Sequence, residues 1–130
     1  MKHKGNRGEI CMYRERKIKE LFLALKRSGK YGTIGEICKT ISGMAMDRYY
    51  ISEERARDIY VRYLRNGVID SCSRYAYSLR LNLVHECDRI RREGSGMSIN
   101  HVVRAAIERP AKNIGLSPSR IQRILKEGGM

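Results

Sequence analysis

Two phrases of this chain share one skeleton: ISEERARDIYVRYL at 51–64 and LSPSRIQRIL at 116–125 both run aliphatic residue, serine, two positions, arginine and, four residues on, isoleucine. They lie 65 positions apart in a chain of 130. The same offset, without a gap, pairs Lys26 and Arg27 with Arg91 and Arg92, Gly29 with Gly94, Ile34 with Ile99, Ile37 with Val102, Cys38 with Val103 and Lys39 with Arg104. Five identities over the 31 positions from Gly29 to Ile59 are too few to establish ancestry. The constraint on the fold is that caps, chain breakers, core positions and basic residues all stay in step. A duplicated three-helix unit accounts for this, and two copies are too few for a solenoid. Units this short bury little core alone. The expected fold is therefore all-α, with two similar three-helix, helix-turn-helix-like lobes, 9–66 and 72–128, packed as one compact helical body.

The helices can be placed from period and caps. After a polar arm of eight residues, apolar positions at Ile10, Tyr13 or the stem of Arg14, Ile18, Leu21, Phe22 and Leu25 follow a helical repeat. Ser28 to Gly32 interrupts it. Thr33 and Glu36 stand at capping-box spacing and open a second helix that runs to about Ser42, with Ile34, Ile37, Cys38 and Ile41 inward. Residues 43–51 lack a period and form a connector, in which Tyr49 and Tyr50 serve as anchors and Met44 and Met46 fill the space beneath. Ser52 caps a third helix, 53–65, with Ala56, Ile59, Tyr60, Tyr63 and Leu64 on one face and Asn66-Gly67 as the stop. Ala76, Leu79, Leu83, Cys87 and Ile90 mark a fourth helix, and Ser98 caps a fifth with Ile99, Val102, Val103 and Ala106 inward. Pro110 breaks that pattern. Ser117-Pro118, a cap followed by proline at the first helical position, opens a sixth helix, 118–127, with Ile121, Ile124 and Leu125 buried.

Charge narrows the partners. The formal net charge is +13. Residues 1–66 carry 16 basic and 8 acidic groups and the remainder 11 and 6, so the excess of +8 and +5 is shared between the halves. A surface of that sign gathers anions and favours nucleic acid or an acidic protein. Eighteen of the 27 basic residues are arginine, whose planar fork suits phosphate and guanine.

In a helix-turn-helix the second helix enters the major groove and the rest touches backbone. The third helix of each half is the candidate reader: Arg55, Arg57, Arg62 and Arg65 in the first, Arg120, Gln122 and Arg123 in the second. Lys39, Arg48, Arg104 and Lys112 suit phosphates. Arg55 and Arg120, each beside an inward isoleucine, suit either a phosphate or a stem packed at a lobe boundary. Two features depart from the compact motif. The connectors, about 42–52 and 107–117, exceed its three- or four-residue turn, and Glu53 and Glu54 put negative charge at a tip expected to meet DNA.

Catalysis finds no foothold. The sequence has no nucleophile elbow, dinucleotide loop or HExxH element. Cys11, Cys38, Cys72 and Cys87 lack the paired spacing of a zinc site, and Cys38 and Cys87 lie on apolar faces, where a reduced thiol acts as a small hydrophobe. His3, His85 and His101 stand alone. No cofactor or metal is expected. Without a signal-like segment or an apolar run of membrane length, the expected compartment is the cytoplasm. The reading is a non-catalytic protein that binds double-stranded DNA, a transcriptional or mobile-element accessory regulator, with a homodimer or a protein partner as further possibilities. The alternative is a protein-interaction or assembly module that does not touch nucleic acid.

Overall fold

The computed structural model describes residues 7–70, 73–94 and 96–128. Most of the polar arm, His3, Cys72 and the terminal Gly129 lie outside the described residues. Six helices follow one another: α1 (Arg7–Ser28), α2 (Ile34–Gly43), α3 (Glu53–Asn66), α4 (Arg74–Glu93), α5 (Ile99–Ile107) and α6 (Pro118–Glu127). The offset of 65 carries the last residue of α1 onto that of α4, the first of α2 onto that of α5 and the first of α3 onto that of α6.

The ends repeat for a chemical reason. Each helix leaves its first amides without intrahelical acceptors. Thr33 Oγ1 accepts from the Glu36 amide at 3.1 Å and Ser98 Oγ from the His101 amide at 3.2 Å. Ser52 Oγ accepts from Arg55 and Ser117 Oγ from Arg120, both at 3.1 Å. Helix α3 stops where Gly67 adopts φ 68°, a left-handed conformation that glycine enters without a Cβ clash.

The helices form two interacting clusters whose membership does not follow chain order. Helix α6 packs on α1 and α2, and α3 packs on α4 and α5. Consecutive order predicts lobes of α1–α2–α3 and α4–α5–α6, so the two halves have exchanged their third helices. The exchange has a physical basis in the connectors, which are long enough to carry each third helix over to the apolar face of the other half. Every principal contact has a counterpart when the halves are swapped: α2 with α6 matches α5 with α3, α1 with α2 matches α4 with α5, and α1 with α6 matches α4 with α3.

An approximate two-fold axis passes between the connectors. Met46 and Ala111, equivalent residues, exchange both backbone hydrogen bonds in an antiparallel bridge, Met46 N to Ala111 O at 2.8 Å and Ala111 N to Met46 O at 2.9 Å. A third bond runs from Tyr49 N to Ile107 O at 3.0 Å.

One continuous core fills the space between the clusters. Many of its members come as equivalent pairs: Ile18 and Leu83, Phe22 and Cys87, Cys38 and Val103, Met46 and Ala111, Tyr49 and Ile114, Ile59 and Ile124. Tyr49, Tyr50 and Met46 are buried, as anchors of the connector should be. Two inward expectations are corrected. Ile34 is 51% exposed because it opens α2 beyond the reach of the core, and Leu64 is 42% exposed near the last turn of α3. Of the two alternatives at the start of α1, Tyr13 faces solvent and Arg14 takes the half-buried position. Among the described residues no helix is long and apolar enough to cross a membrane.

Candidate nucleic-acid interface

Helices α3 and α6 bury Ala56, Ile59 and Tyr60, and Ile121, Ile124 and Leu125, against the opposite half. Their other faces carry the arginines. Arg55, Arg57, Arg62, Arg65, Arg120 and Arg123 are all exposed, and Gln122 is half-buried. Helices α3 and α6 occupy equivalent places in the two clusters, α6 on α1 and α2 and α3 on α4 and α5. They are not among the principal helix pairs that pack on each other.

The basic residues differ in what already holds them. Arg57, Arg65, Arg120 and Arg123 form no ion pair among the described residues. Lys39 and Lys112 are likewise exposed. The Lys112 amide donates to Asn82 Oδ1 at 2.9 Å, which fixes the second connector on α4 while the ammonium stays in solvent. Arg62, by contrast, is paired with Asp70, to whose carbonyl Arg80 also donates. Arg48 donates Nε to Tyr49 O at 3.1 Å and lies over the Tyr50 ring. Arg104 spends both arms of its fork on Glu53, at 3.0 and 3.2 Å.

That last pair resolves the acidic tip of α3. Glu53 faces α5, where Arg104 neutralises it, so the carboxylate serves the α3–α5 contact that joins the two halves of the chain. The pair also keeps the guanidinium protonated more firmly than in water. At the equivalent place in the other half stand Pro118 and Lys39, which cannot form such a pair. The tip of α6 therefore carries no acidic residue in its first turn.

Two shallow clefts flank the third helices at equivalent places. One, of about 200 Å³, is lined by Arg55, Asp58, Ile59, Arg62, Val68, Asp70 and Arg80 between α3 and the start of α4. The other, of about 190 Å³, lies between α1 and α6 and includes Glu15, Arg16, Lys19 and Ile124. Glu15 is the equivalent of Arg80 and Ile124 of Ile59, so the two clefts overlap in position and differ in charge.

Sequence reading missed a polar cluster on the second half. Glu86 is buried and accepts from Arg89 Nη1 at 3.0 Å and from Arg109 Nη1 at 2.8 Å. Its equivalents in the first half are Leu21 and Met44, in place of Glu86 and Arg109, both packed against the core. The signal available was an acidic residue on the apolar stripe between Leu83 and Ile90. Tyr60, fully buried, donates to Asp88 Oδ1 at 2.7 Å across the α3–α4 contact. Burial, and then this bond, push its hydroxyl up to about 12. Cys38 and Cys87 are buried, and desolvation raises both thiols above their ordinary range, that of Cys87 to about 12.

Comparison with known proteins gives no match to a family model, to a curated protein or to a solved structure. The functional reading accordingly rests on geometry and charge.

Proposed function

We propose that the chain is a non-catalytic, duplex-DNA-binding protein, a transcriptional or mobile-element accessory regulator, that presents α3 and α6 to the grooves. The observation that carries this reading is the pair of arginine-bearing helices held by an approximate two-fold axis, with Arg57, Arg65, Arg120 and Arg123 free of ion pairs among the described residues. In space the helix-turn-helix-like pairs are α2 with α6 and α5 with α3, the supporting helix coming from one half and the reading helix from the other. Arg57, Gln122 and Arg123 reach base edges, and Arg55, Arg65, Arg120, Lys39 and Lys112 reach phosphates. Arg48, Arg62 and Arg104 join only by giving up protein partners. Net charge adds the sequence-independent part of the affinity.

The test is salt-dependent binding to a mixed-sequence duplex, comparing the wild type with a variant in which Arg57, Arg65, Arg120 and Arg123 are all alanine. The wild type binds at low salt, and the variant binds more weakly with a shallower salt dependence, each lost phosphate contact removing about 0.9 from the slope of log K against log salt. A wild type that does not bind duplex at low salt ends this reading.

One observation favours the assembly reading. Met12 and Tyr77 are equivalent residues and both remain exposed, at 61% and 45%. Sedimentation that shows self-association, lost when both become serine, would support it.

A further inference from the structure

Resting on the DNA reading above, we infer that one copy of this chain reads two half-sites arranged as an inverted repeat but unlike in sequence, and so binds its target in a single orientation. Two observations combine. The first is the axis itself: the reciprocal bridge between Met46 and Ala111 and the exchanged third helices make the two halves a built-in dimer within one chain. Duplex DNA carries two-fold axes of its own, so a two-fold protein places its equivalent helices on half-sites of opposite direction. In an ordinary homodimer those half-sites are alike, and the complex is the same when turned end for end.

The second observation is that the solvent faces have lost that symmetry. Arg55 and Arg120 coincide, which gives the two half-sites one shared contact. Beyond it, Arg57 stands where the other half has Gln122, Asp58 where it has Arg123, and Glu54 where it has Ser119. Arginine pairs with the O6 and N7 edge of guanine, glutamine with the N6 and N7 edge of adenine, and a carboxylate accepts from the cytosine amine. Equivalent positions therefore select different bases. The phosphates are met unequally as well, because Glu53 and Arg104 cancel each other at the α3 tip, whereas Lys39 beside the α6 tip has no acid at the equivalent place. Much of the core underneath keeps the symmetry that the surface has given up.

The experiment is selection of duplexes from a random library by the full chain at moderate salt, followed by binding to three synthetic probes. One carries the two selected halves as found, and each of the others carries one half twice as a perfect inverted repeat. The expected result is a 1:1 complex on an imperfect inverted repeat. Each perfect repeat should bind at least about tenfold more weakly, the usual cost of one or two mismatched base pairs. The variant R57Q/D58R, which gives α3 the α6 residues on a solvent face, should shift preference toward the perfect repeat of the α6 half. Three results overturn the proposal while leaving DNA binding intact: selection of a single half-site, equal affinity for all three probes, or no shift in the variant. Recovery of no duplex at all overturns the DNA reading, and this proposal with it.

Discussion

Glu53 holds both arms of the Arg104 guanidinium, at 3.0 and 3.2 Å, across the contact between α3 and α5. The pair lies at the surface, with the arginine side chain 56% exposed, so it adds little to folding and much to the local charge. Replacing Glu53 with glutamine releases Arg104 and raises the net charge by one. If Arg104 then reaches a phosphate, non-specific duplex affinity at low salt should rise several-fold and the salt slope should steepen by about 0.9. Fluorescence anisotropy across a salt series measures both.

The Glu86 cluster offers an exchange between the halves. Glu86→Ala leaves Arg109 and Arg89 without their shared acceptor and should cost roughly 1 to 3 kcal/mol, less than a fully buried pair because both arginines are partly solvated. The double variant E86L/R109M installs the leucine and methionine found at the equivalent places. It should be neutral or stabilising, since a well-packed apolar pair avoids the desolvation of the charges. Urea denaturation of the three proteins decides this.

Tyr49 is fully buried and its hydroxyl has no hydrogen-bond partner. The equivalent residue, Ile114, has no hydroxyl to satisfy. Tyr49→Phe should therefore stabilise the chain by about 1 kcal/mol, the low end of the cost of an unsatisfied buried group. A lower denaturation midpoint in the variant would refute this.

Stability should fall steeply in alkali. Tyr60 and Cys87 are both pushed up to about 12 by burial, from ordinary values of 10 and 9. For both groups the protonated, neutral form is the one the fold favours. Their contribution is thus fully present below pH 9 to 10 and is lost as pH rises toward 12. Burial acts in the same direction on Tyr49 and Tyr50. Unfolding free energy measured from pH 8 to pH 12 should slope downward above pH 9, and Tyr60→Phe should flatten the slope.

Gly115 adopts φ 80°, and a Cβ there would lie 2.5 Å from Leu79 Cδ2. Gly115→Ala should cost roughly 1 to 3 kcal/mol, from left-handed strain and overpacking against α4. Thermal unfolding reads the loss directly.

Elements were legible where local chemistry specifies them. Thr33, Ser52, Ser98 and Ser117 each cap a helix with the side-chain bond their position implies, and the isoleucines at 59 and 124 are buried together with their neighbours. Legibility failed at Ile34 and Leu64, where a helical period places a residue on the apolar stripe but cannot tell where the neighbouring helix stops. It failed again at Arg104 and Glu53, 51 positions apart, and at Arg62, whose partner Asp70 lies beyond the stop of α3.

Periodicity, caps and the offset of 65 were enough to establish six helices and a repeated pattern, because each depends on residues a few positions apart or on comparison of the chain with itself. Which helix packs on which was not contained in them. An apolar stripe on α3 is equally satisfied by α2 or by α5, since hydrophobic burial has no direction. The choice was made by the long connectors crossing at Met46 and Ala111, a contact between distant segments. That same crossing leaves the arginine faces of α3 and α6 in solvent, related by one axis.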